Sequence, residues 1–346
     1  MGDPRRVTAS APGKVTLFGE HAVVYGYPAI VTAIDKRVWV EAERRGDDAV
    51  VIAALDLRVP GVIVTYRGDE VVIETDYGRT LSAVAYLRKA VELTSKYLGV
   101  RGGVNLTVRS EMPVGAGLGT SAAVTVATIA AYARVMGYEL SRAEIARLGW
   151  EVEKAVQGIA SPMDTSIASF GGTIKIWREG GEFVSRPIDM NLSGCSFIVG
   201  YVERESTTAE MVRRVRELYE ARRDAVELIL KAIGMVTEEA EKALKAGDAA
   251  EVGTLMNMNH GLLEALQVSN RRLSQMVYAA RAAGALGSKL TGAGGGGATL
   301  SLAKLADVGR VELALKLTSL MVFEAGVGAE GVRVEAGGSG APLSRS

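Results

Sequence analysis

Pro113-Val114-Gly115-Ala116-Gly117-Leu118-Gly119-Thr120-Ser121-Ala122 lies between a strand-like run, Val104 to Ser110, and an Ala- and Val-rich run, Thr120 to Met136, that carries almost no charge. Three glycines in five residues let backbone N–H groups turn inward around an anion. The helix that follows adds free amides and partial positive charge at its first turn. The hydroxyls of Thr120 and Ser121 suit either a helix cap or a phosphate-bound metal. A Walker A loop demands Gly-Lys-Ser/Thr, which is missing, and the spacing does not fit the dinucleotide fingerprint. The plainer alternative is a glycine-rich turn packing a buried helix; phosphate binding accounts better for the clustering.

Three further stretches join this loop. In Ala11-Pro12-Gly13-Lys14-Val15-Thr16-Leu17-Phe18-Gly19-Glu20-His21, a lysine precedes an adjacent acid and histidine where a strand should turn. Lys14 alone would read as a solvated charge, but this company argues for function. Lys289-Leu290-Thr291-Gly292-Ala293-Gly294-Gly295-Gly296-Gly297 places five glycines in six residues between two strands. That is entropically costly and far more than a two-residue hairpin needs, so a backbone that closely approaches a ligand is the economical account. Between them, Asp164 follows the break made by Gly158 and Pro162, and is expected on a loop. An acid there suits metal ligation or proton abstraction, and a plain turn acid is the alternative.

Composition narrows the partners. Forty Lys+Arg balance 40 Asp+Glu, without the basic excess expected of a phosphate-backbone binder, so nucleic acid is excluded. Glycine is the outlier at 41 of 346 residues, against a usual share of about 7%. The single Cys195 excludes an internal disulfide and reads as a small hydrophobe on a strand. The start of the chain does not resemble a signal sequence and no apolar run is long enough for a membrane helix, so a cytoplasmic protein is expected.

Periodicity predicts strands over Val7 to Ala11, Ala29 to Ala42, Ala49 to Val59, Val62 to Glu74 and Val104 to Ser110. Helices are predicted over Thr80 to Tyr97, Thr120 to Met136 and, capped by Ser141, Arg142 to Val156. Two short strands follow before a boundary near residue 190. Beyond it come a strand over Ser196 to Val202, helices from Thr208 to about Ala283 broken near Gly234 and Gly247, and a strand-loop-strand unit over Ala285 to Leu302. A helix over Leu305 to Phe323 and a strand over Gly331 to Glu335 close this second unit. The tail Gly337 to Ser346 has no apolar face and is expected to be disordered.

In this order, and over most of the chain, the glycine-rich and acidic blocks resemble the GHMP kinase superfamily. Gly19-Glu20-His21-Ala22-Val23-Val24-Tyr25-Gly26 is similar to the first motif of the mevalonate kinases, and the compact length to their archaeal type. Galactokinases carry an acid and an aromatic soon after Gly-Glu-His, and phosphomevalonate and homoserine kinases lack the trio. The resemblance implies an α+β fold of two domains. Residues 1–190 would be like the second domain of ribosomal protein S5, and residues 191–336 would form a ferredoxin-like α/β sandwich.

It also implies ATP-dependent phosphorylation of the 5-hydroxyl of (R)-mevalonate in isoprenoid biosynthesis, by direct in-line transfer with Mg²⁺. Asp164 would be the general base and Lys14 the charge stabiliser, with Ser121 and Glu153 as Mg²⁺ ligands. Pro113 to Ala122 would form the ATP phosphate loop, and Thr291, Gly292, Ala293 and Gly294 the motif closing over it. Glu20 and His21 would lie at the mevalonate site. Thr207 would belong to a substrate-side Ser-Thr segment, although the usual preceding arginine is replaced by Glu205, with Arg204 one position away. The family commonly reads Pro-Ser-Gly-x-Asp before its acid, whereas this chain reads Ser161-Pro162-Met163-Asp164. Phosphomevalonate kinase, mevalonate 3-kinase, the ATP-dependent decarboxylase and a catalytically silent nucleotide sensor share the fold. Gly19-Glu20-His21 argues against the decarboxylase, and the presence of Lys14 and Asp164 against the sensor. The apolar stripes on Thr208 to Gly234 and Ala249 to Leu266 read as core, with a homodimer face as the alternative, and His260 reads as structural.

Overall fold

The protein is described by a computed structural model covering residues 5–54, 62–67, 70–75, 82–113, 116–158 and 161–335. Val114 and Gly115, the predicted strand end at Val59, the predicted helix start at Thr80 and the tail from Gly337 lie outside the described residues. Two long strands, β1 (Arg6–Phe18) and β2 (Ala29–Arg44), pair antiparallel at the centre of the first sheet. Around them run β3 (Val50–Ala54), β4 (Val62–Arg67), β5 (Glu70–Thr75), β6 (Val104–Ser110), β7 (Thr173–Glu179), β8 (Glu182–Pro187) and β13 (Arg333–Val334). The main path is β13-β1-β2-β6-β3-β4-β5, and β7 joins β2 to β8.

Helix α2 (Thr120–Val135) lies against β1 and β2, surrounded by α1 (Ser82–Leu98), α3 (Arg142–Gln157) and α4 (Met163–Phe170). This explains its nearly uncharged sequence: residues around its whole circumference, from Ala122 and Val126 to Tyr132, are buried. Ser141 caps α3 through a full capping box with Glu144.

The second sheet has β9 (Cys195–Val202), β10 (Gly287–Thr291), β11 (Gly297–Lys304) and β12 (Met321–Ala325) in the order β10-β11-β9-β12. Four helices separate β9 from β10: α5 (Thr208–Ala221), α6 (Arg223–Ala246), α7 (Ala249–Ala265) and α8 (Arg271–Ala282). The shorter α9 (Val308–Lys316) separates β11 from β12. That is the ferredoxin-like βαββαβ order. Half-buried Cys195 opens β9 as a free thiol.

Five predicted features differ. Val62 to Glu74 is a hairpin of two strands rather than one. The helix break near Gly234 is absent: α6 runs straight through, because the missing side chain lets the helix press on Tyr27, whose Cδ1 would lie 2.8 Å from an added Cβ. The break falls instead at Arg222. The predicted helix to Phe323 ends at Lys316, and its apolar end pairs with β9 as β12, an ambiguity inherent in short apolar runs. Finally, the closing strand leaves the second unit and pairs with β1, Val334 opposite Ala9. The buried Arg37 holds it there, donating to the carbonyls of Glu330 and Gly331 at 2.8 Å each. Asp164 is the fifth, described below.

Candidate active site

β1 delivers Lys14. Its register against β2 slips between Pro12 and Lys14, and such a bulge re-aims the side chain that follows it. The Lys14 amide donates to the carbonyl of Leu118 at 2.8 Å, stitching β1 to the first glycine loop. Gly119 then sits on the lysine stem with φ +72°, where a Cβ would lie 2.7 Å from Lys14 Cγ. Gly119→Ala therefore meets both backbone strain, about 1–3 kcal/mol in the left-handed region, and a collision that displaces Lys14. Its kcat/KM is expected to fall at least about tenfold, the effect of roughly 1.4 kcal/mol; steady-state kinetics beside a melting curve check this.

Lys14 Nζ is buried, 3.1 Å from Asp164 Oδ1, and donates to Thr16 Oγ1 at 3.4 Å. Oδ1 sits at ion-pair distance but receives no well-directed hydrogen bond. Coulomb attraction does not need that alignment, so the oxygen is electrostatically held yet free to accept a proton. Asp164 lies in the first turn of α4 and not on a loop. Pro162 stands at the N-cap position with φ −73°, the value its ring fixes, without a side-chain cap bond, and an acid in the first turn suits the helix dipole.

Glu153 projects from near the C-terminal end of α3 into the same space and is 4% exposed. Burial and then the like charge of Asp164 push its carboxyl up to about 8, against the opposing pull of Lys14. Two carboxylates and one lysine thus share a poorly solvated pocket.

The two glycine loops meet beside it. An added Cβ at Gly292, whose φ is +83°, would lie 3.3 Å from the carbonyl oxygen of Gly117. Thr291 Oγ1 accepts from the Thr16 amide at 2.9 Å and donates to the Thr16 carbonyl at 3.0 Å. In the first loop, Thr120 donates to the Pro113 carbonyl, while Ala116, Leu118 and Ala122 are buried in the core. Half-buried Ser121 lies in the first turn of α2, where Gly119 supplies no side-chain cap. Amides at such a helix start form an anion site. Gly294 backs onto the Val268 carbonyl.

Arg204 follows β9 and stands one position from where the Ser-Thr segment would want its arginine. Its guanidinium reaches both loops: Cβ atoms added at Gly117 and Gly297 would lie 3.2 Å from Nη2 and Nε. Nη1 donates to Thr208 Oγ1 at 2.8 Å, whereas the buried Nε has no acceptor. An arginine just past a strand, two positions before Ser206-Thr207, is the available signal.

Glu20 and His21 follow β1 and face the second sheet. Glu20 is ion-paired with the fully buried Lys289 and accepts from Asn259 Nδ2 at 3.0 Å. His21 Nε2 lies 2.9 Å from the Ala293 carbonyl, and burial pulls the imidazole below its ordinary pKa, so Nε2–H donates from a neutral ring. His260 is buried on α7, its Nδ1 accepting from the Leu290 amide at 3.3 Å. Thr207 is exposed and caps α5, its hydroxyl accepting from the Glu210 amide.

Lys14, Glu153, Asp164, Arg204, the start of α2 and both glycine loops therefore converge, and Thr207 is occupied with its own helix. Among the described residues no three His, Cys, Asp or Glu side chains form a metal cluster. That donor set does not suit zinc, but it suits Mg²⁺, which is held by one or two carboxylates plus substrate phosphates. The crowded pair of Glu153 and Asp164 is the chemistry such a cation relieves. A lysine, an arginine and helix-start amides beside a carboxylate can bind a nucleotide's phosphates and deprotonate an alcohol.

Fold and site together define a small-molecule kinase of the GHMP type. Residues 85–172 match the GHMP kinases N terminal domain, residues 240–318 match GHMP kinases C terminal, and residues 1–44 match the galactokinase galactose-binding signature. The mevalonate kinase of Thermococcus sibiricus is 43% identical across 95% of this chain and 98% of its own. The crystal structure of the Methanococcus jannaschii mevalonate kinase is 32% identical, with TM-score 0.77 over 94% of this chain and 99% of that one. That of the L. major mevalonate kinase in complex with R-mevalonate is 26% identical, with TM-score 0.80 over 93% and 96%. The chain belongs to the mevalonate kinase family. No helix among the described residues is long and apolar enough to cross a membrane.

Proposed function

We infer that this chain transfers the γ-phosphoryl group of ATP directly to the 5-hydroxyl of (R)-mevalonate. The Lys14–Asp164 pair at the junction of two glycine loops carries the reading. Asp164 takes the hydroxyl proton as that oxygen attacks the γ-phosphorus, and ADP leaves on the opposite side. Lys14 and Arg204 hold the charge spread over the transferring oxygens, and the amides of Gly117 to Thr120 cradle the ATP phosphates. Such positioning and charge neutralisation are most of what phosphoryl transfer asks of a protein. Ser121 and Glu153 would hold Mg²⁺, which when bound neutralises the β- and γ-phosphates. Ser121→Ala is expected to raise the Mg²⁺ requirement on the order of tenfold; an unchanged Mg²⁺ titration would remove Ser121 from that role.

The purified chain is tested with ATP and, separately, mevalonate, phosphomevalonate and galactose, the last because residues 1–44 match a galactokinase signature. Turnover with mevalonate alone is expected, and ³¹P NMR should place the product phosphate on C5. No turnover with mevalonate, or a phosphate on C3, overturns the reading.

A further inference from the structure

We propose that Lys289 and Asn259 are positioning residues: they clamp Glu20 across the domain interface and so fix the His21 turn against which the acceptor is held. This rests on the mevalonate reading above. It differs from what the family resemblance implies for Glu20, whose carboxylate would act through the protein and not on the substrate.

Three alternate residues of one segment bind the end of β1. Lys289 Nζ donates to Glu20 Oε1, Thr291 Oγ1 brackets the Thr16 amide and carbonyl, and the Ala293 carbonyl accepts from His21 Nε2. Lys289 and Thr291 lie on one face of β10, with the intervening Leu290 packed into the core of the second unit, and Ala293 follows just past the strand, beyond left-handed Gly292, and offers its backbone carbonyl. Both Glu20 oxygens are engaged, Oε1 by Lys289 and Oε2 by Asn259. Lys289 Nζ also donates to the Leu290 carbonyl at 2.7 Å, so the ammonium is itself anchored. Glu20, Lys289 and Asn259 are 4%, 0% and 0% exposed, which leaves the carboxylate with little access to a ligand.

The physical cost of this arrangement indicates its purpose. A buried ion pair is seldom a net gain over apolar residues of the same shape, and its best-attested use is to fix one arrangement among several. Here the arrangement to be fixed is unfavourable. His21 has φ 61° and ψ −43°, a backbone conformation that a residue with a side chain keeps only when its surroundings impose it. Glu20 on one side and the Ala293 carbonyl on the other impose it. The same segment continues into the glycine loop that touches Gly117, so the acceptor turn and the phosphate loop share one support.

Steady-state kinetics on Lys289→Met, Glu20→Gln and the double variant test this, each with melting curves. KM for mevalonate is expected to rise about tenfold or more in both single variants, while KM for ATP stays within about twofold. The double variant should be no worse than the singles, because residues acting through one interaction are not additive. If Lys289→Met does not fold, the paired neutral double variant and Asn259→Leu take its place, and each must still raise the mevalonate KM selectively. An unchanged mevalonate KM, equal rises in both KM values, or effects that multiply in the double variant overturn the proposal. Glu20→Gln raising KM while Lys289→Met does not would assign Glu20 directly to the substrate. The wild-type assay keeps the two inferences apart: its failure with mevalonate removes the function, whereas these outcomes remove only the clamp.

Discussion

Asp164→Asn is expected to lower kcat by about 10²–10⁴, the usual contribution of a positioned general base, while leaving ATP affinity within about twofold. Asparagine keeps the size and hydrogen-bonding reach of the side chain but cannot accept the hydroxyl proton at neutral pH. The fold should survive. Asp164 is partly exposed, with 29% side-chain accessibility, and neutralising it also relieves the like charge it sets against Glu153, which offsets part of the ion pair lost to buried Lys14. Nucleotide titration by calorimetry and single-turnover phosphorylation separate binding from chemistry. A variant with near-normal turnover means that some other group, or solvent, takes the proton. A variant that loses ATP binding instead makes Asp164 part of the nucleotide site.

How much of this site was legible follows from how locally each part is encoded. The glycine loop around Gly117 and Gly119 announced itself because several glycines needed for positive φ and close approach are neighbours in sequence. Lys14 stood out only through company, and the bulge that aims it is a relation between β1 and β2. Asp164 reads from sequence as a loop acid, because Gly158 and Pro162 look like an interruption, whereas Pro162 stands at the N-cap of α4. Arg204 was visible but undervalued, since its worth comes from two glycine loops that close on it from far along the chain. Lys289 opened a quoted motif without acquiring a role. Its partner Glu20 is 269 positions away, and no local periodicity carries that pairing. The fold shows the same division. Helix α2 and the capped α3 were read nearly to the residue from their own patterns. Strand β12 and the return of β13 to the first sheet depended on partners, β9 in one case and Arg37 with β1 in the other.

Lys14→Met should lower kcat by about 10²–10³, the cost of removing one preorganised group from developing transition-state charge. Methionine preserves much of the stem that Gly119 packs against, so the variant isolates the ammonium. Lys14→Arg should not rescue it. The stem is confined by the Gly119 backbone, and a planar guanidinium cannot occupy the place of a compact ammonium. The same substitution has a signature in the absence of substrate and Mg²⁺. Glu153 titrates near 8 in the folded protein against an ordinary 4.5, so between these values the folded state binds more protons than the unfolded one. Stability of the metal-free protein therefore falls as pH rises through that window. Lys14 is the attraction that limits the shift, and without it Glu153 moves higher and the loss with pH continues further. Urea unfolding of wild type and Lys14→Met from pH 5 to 9 measures this, with the two stabilities expected to diverge toward alkaline pH. Parallel curves would mean that Lys14 does not share a field with Glu153, and the charge-stabilising role assigned to it would lose its structural basis.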